Sequence, residues 1–181
     1  MWRTSLVLGF VLFMALPLAQ AAEGQQVGFA SLDGTQIKAW VLQPPGKPKG
    51  TVVALHGCGG LYAAIGSRKG QLNARHQAMA DLLLAQGYAV VFPDSLSPRG
   101  LVSLCTQKIS DRAINQTQRR SDALASMNWV AAQPWAKPSK IALLGWSHGC
   151  SAVLAATDLR QRAGEWLSTQ HPPAAVAGCT R

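Results

Sequence analysis

The sequence predicts an α/β fold built on one mostly parallel sheet flanked by helices, and three observations carry that reading. Thr51 to Leu55, Tyr88 to Phe92 and Lys140 to Leu144 are continuous apolar runs, as expected of strands covered on both faces. Helical patterns separate them, and strands alternating with helices at this rhythm imply a parallel sheet with right-handed crossovers. The third run passes straight into Gly145-Trp146-Ser147-His148-Gly149, a G-x-S-x-G turn, and then into the small residues from Ser151 to Thr157, which open a tightly packed helix.

At 181 residues and 48% apolar composition, the chain suits one domain with a sizeable core. Met1 to Ala21 resembles a secretory signal: Arg3 supplies the charge, Leu6 to Leu18 the apolar centre and Ala19-Gln20-Ala21 the small-x-small cleavage site. The mature domain is therefore expected to run from 22 to 181, exported to the periplasm or secreted. The alternative, an uncleaved anchor, is disfavoured because the apolar run is shorter than the ~18 residues a membrane helix needs. No stable membrane insertion is expected once the signal is gone.

Seventeen Lys and Arg against eight Asp and Glu give a net charge of +9. The basic residues are scattered, their densest clusters being Arg119-Arg120 and the loop from Lys47 to Lys49, with no interleaved aromatics on which bases could stack. Solvated surface is the expectation, and nucleic acid is not an expected partner.

In chain order, Gln26 to Phe29 and Gln36 to Leu42 are β-like runs separated by Asp33-Gly34, a turn dipeptide that often closes a hairpin. Pro44, Pro45, Gly46 and Pro48 break the pattern before the Thr51 run. A glycine-rich segment, His56-Gly57-Cys58-Gly59-Gly60, begins a loop reaching to about Leu72, long enough to be a functional candidate. It lacks the Lys-Ser/Thr ending of a phosphate loop. Asn73 can cap a helix with Met79, Leu82 and Leu83 on its apolar face and Gly87 at its end; His76, on that helix, reads as a surface or packing residue.

After the Tyr88 strand comes Pro93-Asp94-Ser95, then a second long loop with Ser97-Pro98-Arg99-Gly100 and Cys105. The pattern from Asp111 to Gln133 is helical, with Leu124, Met127 and Ala131 on one face, Arg112, Arg119 and Arg120 available to solvent, and Pro134 as the stop. A polar amphipathic stretch spans Leu159 to Gln170, and Ala174 to Ala177 reads as a last short strand.

Ser147 is the candidate nucleophile. A G-x-S-x-G turn bent between strand and helix holds the serine oxygen clear of the sheet end. A serine hydroxyl is a poor nucleophile at neutral pH, so a histidine must take its proton and an acid must orient that histidine. The oxyanion hole is expected from two backbone N–H groups, that of His148 just after the nucleophile and that of Cys58 after the Thr51 strand. Neither role uses a side chain, and the His148 imidazole is assigned to packing or to the rim.

These segments, Leu55 to Leu61, Leu72 to His76, Pro93 to Ser95 with Ser97 to Gly100, and Gly145 to Gly149, resemble the α/β-hydrolase superfamily and, within it, the dienelactone hydrolase family. The resemblance implies hydrolysis of an ester or lactone through a covalent acyl-enzyme, with no cofactor and no metal. The enzymes that name that family use a cysteine where this chain has Ser147, which points to a general carboxylic ester. Their acid and histidine lie beyond later strands, so the resemblance implies a partial domain lacking its last strands and those two residues, and little activity for the polypeptide as it stands. Asp158, Glu165 and His171 have the right order for a compressed triad. Asp158, however, would lie roughly 16 Å along a helix leading away from Ser147, at ~1.5 Å per residue, and His171 would enter from the opposite end of the sheet. The other function class is a non-catalytic exported ligand-binding or interaction domain on the same scaffold.

Cys58, Cys105, Cys150 and Cys179 allow three complete pairings and lack close C-x-x-C spacing, so disulfides or buried thiols are preferred to a metal site. Cys58 and Cys105 follow the ends of two strands expected to be neighbours, which predicts a disulfide tying the two long loops. Cys179 is left either to Cys150 or to a partner further along.

Overall fold

The computed structural model describes residues 24–158, 160 and 178–180. The leader, the stretch around Glu165 and His171, and the strand expected at Ala174 to Ala177 lie outside the described residues. Six strands form one sheet: β1 (Gln25–Ala30), β2 (Gln36–Leu42), β3 (Thr51–Leu55), β4 (Ala89–Asp94), β5 (Ile141–Trp146) and β6 (Gly178–Thr180), in the order β1-β2-β4-β3-β5-β6. β1 and β2 make the expected hairpin, and β2 also runs antiparallel to β4. The β4-β3-β5-β6 pairs are parallel, so the sheet is mostly parallel as expected.

Two-residue alternation divides the strands between two cores. Val53, Leu55, Val91, Ile141 and Leu143 pack beneath α2 (Gln116–Ala131) and α3 (His148–Thr157). Ala54, Val90, Phe92 and Trp146 face α1 (Ala74–Ala85) on the other side. Asn73 caps α1 through the amide of His76, as its position predicts. Among the described residues, no helix is long and apolar enough to cross a membrane.

Three expectations need correction. On α1, Leu82 is 55% exposed, whereas the inward positions are His76 and Ala80 with Met79, Leu83 and Leu84 beside them. α2 begins five residues later than the pattern suggested, because Asn115 and Gln118 form a reciprocal capping box; a short 3₁₀ turn, Ile109–Asp111, precedes it. Arg119, placed in solvent by the pattern, has no exposed surface at all. Arg119, Asp122, Ser126 and Val130 recur at the three-to-four-residue spacing of one helix face, and all four are buried.

Candidate active site

β5 delivers Ser147 at φ 50° and ψ −114°, and among the described residues it is the one non-glycine residue with positive φ. Such a conformation costs of order 1–3 kcal/mol and persists only where packing over-determines it. Here the two motif glycines show the packing. A Cβ on Gly145 would run into the Gly149 carbonyl, and one on Gly149 would run into the carbonyls of Leu55 and His56. The start of α3 thus sits directly on the end of β3, leaving the Ser147 side chain exposed at the C-terminal end of the parallel strands.

The loop leaving β3 lies against this elbow. A Cβ on Gly57 would stand 3.2 Å from the Trp146 carbonyl oxygen and 3.5 Å from the Ser147 Cβ. Cys58 follows at once, and its N–H and that of His148 donate to no protein acceptor among the described residues. The loop is tied at its far side: Cys58 and Cys105 form the expected disulfide, with Cα atoms 5.0 Å apart, and the Leu104 N–H donates to the Cys58 carbonyl at 2.8 Å. Gly60, at φ 82°, has no room for a side chain because the Val102 carbonyl lies 2.6 Å from where its Cβ would be. Leu96, Leu104 and Ile114 make a small core under these two loops. Cys150 is itself disulfide-bonded, and the Cys179 side chain lies outside the described residues.

None of the histidines within the described residues hydrogen-bonds the Ser147 side chain. The His56 ring is fully buried: its Nδ1 is 2.8 Å from the Gly57 carbonyl, and its Nε2 meets the Ser95 N–H at 3.2 Å. Burial, and then the Arg119 charge, hold it well below the usual histidine range, so it is neutral. His76 points its Nδ1 at the Leu61 carbonyl, 3.1 Å away, and lies edge-on to Trp146. Burial lowers it as well. The His148 imidazole is 6% exposed, and its Nδ1 has no hydrogen-bond partner. Burial first, then Arg119 and Arg112, bring it down to about 4. Asp158, the first acid weighed for a compressed triad, pairs with Arg160 at 2.9 Å beyond the end of α3; Glu165 and His171 lie outside the described residues. Ser147 itself makes no side-chain hydrogen bond among the described residues.

A buried ionic network, unread in the sequence, runs beneath the site. Arg99 grips both oxygens of the fully buried Asp122 carboxylate at 2.9 Å, donates to the Ser95 carbonyl, and reaches Asp33 in the hairpin turn at 2.7 Å. Ser31 adds a 2.6 Å bond to Asp122. Asp94, at the end of β4, accepts from the N–H groups of Leu96 and Ser97. The available signal was the spacing of Arg119, Asp122 and Ser126, polar residues in the register of an apolar stripe.

Beside the Gly59-Gly60 stretch lies a mostly apolar cavity of about 350 Å³, walled by Leu61, Tyr62, Leu96 and Val102, with Lys69 and Asp94 as its charged groups. Gly59 is the next residue after Cys58, so the cavity wall begins one Cα step, about 3.8 Å, from the expected oxyanion donor.

The comparisons with known proteins agree with this geometry. No curated protein matches the chain. Among solved structures, the α/β hydrolase GrgF from Penicillium sp. sh18 superposes at TM-score 0.57 with 18% identity over 75% of this chain and 41% of its own. Esterase Est22 superposes at 0.56 with 20% identity, over 79% of this chain and 40% of its own. The dienelactone hydrolase from Anabaena variabilis does so at 0.55, also with 20% identity, over 76% and 58%. These are likenesses of fold, and the chain spans less than two thirds of the length of each. The family model that matches, over residues 33–176, is that of the X-Pro dipeptidyl-peptidase (S15 family). The chain thus has the α/β-hydrolase fold and belongs to the X-Pro dipeptidyl-peptidase (S15) family.

Proposed function

We propose that this protein is an exported serine hydrolase that cleaves a carboxylic ester or lactone through an acyl-enzyme on Ser147. The observation that carries the reading is the apposition of a strained, exposed serine with a glycine loop whose next N–H is unengaged. Attack of Ser147 Oγ on the substrate carbonyl carbon puts a negative charge on the carbonyl oxygen. The N–H groups of His148 and Cys58 would receive that charge, a contribution on the scale of about 10²–10³ in kcat per donor. Collapse expels the alcohol, and water then releases the acid. The base that takes the Ser147 proton is assigned to a residue other than the three described histidines, since His56 and His76 face backbone carbonyls and the His148 imidazole is buried and brought down to about 4. The 350 Å³ cavity beside Gly59 supplies a seat for an apolar substituent of the ester.

Family membership favours a second reading, acyl transfer from a peptide bond following proline, on the same serine. A fluorophosphonate probe, p-nitrophenyl acetate and an X-Pro p-nitroanilide separate the possibilities in the full chain. Labelling, and an acetate turnover that is low but abolished by Ser147→Ala, are the expected result. Turnover confined to the anilide would move the substrate to peptides, and absence of labelling and turnover would leave a binding domain on a hydrolase scaffold. Export is tested by the intact mass of protein recovered outside the cytoplasm, with an N-terminus expected near Ala22.

A further inference from the structure

We infer that Arg119 is a positioning residue for the oxyanion hole, acting through the His56 imidazole to orient the peptide group between Gly57 and Cys58. The inference rests on the reading above that the Cys58 N–H receives the oxyanion. Arg119 comes from α2, has no exposed surface, and directs both terminal nitrogens at one residue: Nη2 donates to the His56 carbonyl at 2.5 Å, and Nη1 lies 2.9 Å from His56 Nε2. Nη1 also lies 3.3 Å from Nδ1, so it rests over the face of the imidazole rather than on the lone pair of either nitrogen. The tautomer follows from the other contacts. A carbonyl only accepts, so the 2.8 Å approach of Nδ1 to the Gly57 oxygen requires the proton on Nδ1, and Nε2 is then the acceptor for the Ser95 N–H.

The Gly57 carbonyl and the Cys58 N–H belong to one rigid, planar, trans peptide unit, and their bonds point in opposite directions. Holding the oxygen against the buried imidazole therefore aims the N–H away from the core, on the side where Gly57 abuts Ser147. Arg119 sets this arrangement twice over. It anchors the preceding carbonyl directly, and by packing its charged end on the imidazole face it holds the ring in the plane from which Nδ1–H reaches the Gly57 oxygen and Nε2 meets the Ser95 N–H. Burial lowers its pKa to about 10, with the Asp122 and Asp94 charges opposing the fall, so it remains a cation at neutral pH. Among the described residues its hydrogen bonds go to His56 alone. A guanidinium committed wholly to one residue of the loop is doing more than neutralising a neighbouring acid, and Asp122 already has Arg99 and Ser31.

The test compares the full wild-type chain with Arg119→Gln, Arg119→Lys and, as a folding control on the same helix, Val130→Ala. Hydrolysis of p-nitrophenyl acetate is measured per reactive serine, counted with a fluorophosphonate probe. Arg119→Gln is expected to lower kcat roughly 10- to 100-fold with KM within about twofold, up to the loss of one oxyanion donor. Arg119→Lys, which keeps a cation and one donor, should recover part of it. Val130→Ala should lower thermal stability and leave kcat per reactive serine unchanged. Nitrogen NMR of ¹⁵N-histidine protein reads the intermediate step: His56 protonated on Nδ1 in the wild type, and a tautomer mixture in the variants. Wild-type kcat in Arg119→Gln, or a wild-type His56 protonated on Nε2, would overturn the inference while leaving the hydrolase reading intact. Should Arg119→Gln fail to fold, the lysine variant and the wild-type tautomer decide. A wild type without Ser147-dependent turnover defeats the hydrolase reading, and this inference with it.

Discussion

The leading hairpin and the serine elbow are both sharp reversals closed by glycines, yet they are built on opposite terms. In the hairpin, β1 and β2 pair residue for residue from Gln25 with Val41 to Ala30 with Gln36, and the turn at Asp33-Gly34 needs positive φ only from a glycine. A Cβ on Gly34 would meet nothing within 4 Å. At the elbow the positive φ falls on a serine, and the glycines around it have backbone carbonyls where a side chain would go. One turn is satisfied locally. The other is held only because β3, β5, α3 and the loop after β3 are already in place, which is how a reactive group is kept exposed and strained at the same time.

The same substitution in the two regions should therefore have very different outcomes. Gly149→Ala drives a methyl group into the Leu55 and His56 carbonyls and is expected to destabilise by about 3 kcal/mol or more, at the severe end for single changes. Gly28→Ala, on β1, puts its methyl 3.8 Å from the Ile37 carbonyl oxygen, an ordinary contact, and should be neutral or slightly stabilising, within about 1 kcal/mol. Urea unfolding of the two variants checks the contrast, and equal losses would break it.

Next in size is the disulfide, which only the site end possesses among these two regions. Replacing Cys58 and Cys105 together by serine removes a link across 47 residues and should cost about 2–4 kcal/mol. Thermal melting with and without reductant measures it; unchanged melting would show that the Leu104 to Cys58 hydrogen bond and the small core beneath already suffice.

Acid should affect the site end before the hairpin. His56, His76 and His148 all have folded-state pKa values below the usual 6.5. The unfolded chain therefore binds protons that the folded one refuses, and stability falls as pH drops below about 6.5, with His148 contributing down to about 4. The stability against pH, from denaturant curves between pH 7.5 and 4, should slope with the uptake of up to about three protons. A flat profile would mean that these rings are open to solvent.

The smallest effect belongs to the hairpin turn. Burial tends to raise the Asp33 carboxyl, but hydrogen bonds from Thr35 and Arg99 outweigh it and hold it at about 2. Its contribution is present above the unfolded value of 3.8 and is lost as pH falls from there toward 2. Asp33→Asn should lower stability at neutral pH by no more than about 1 kcal/mol, as for an ordinary partly exposed pair, and the deficit should shrink in acid. An equal deficit at pH 7 and pH 2.5 would assign the effect to the hydrogen bonds rather than to charge.

What the residues declared on their own was whatever depends on a short window of chain. Two-sided apolar runs marked β3, β4 and β5; Asp33-Gly34 marked the hairpin; G-x-S-x-G marked the elbow; and the parallel order brought Cys58 near Cys105, because both follow strand ends on the same edge. Tertiary structure decided what depends on neighbours distant in sequence. Whether Leu82 or Ala80 faces the sheet is set by how α1 lies on it, since the helix carries apolar residues on more than one side. Arg119 and His56 are separated by 63 positions, and no local pattern tells a solvated arginine from one driven into the core by a histidine and the carbonyl before a glycine. Burial of a charge is worth its desolvation only where specific partners await it, and those partners exist only once the sheet has brought the end of β3 under α2.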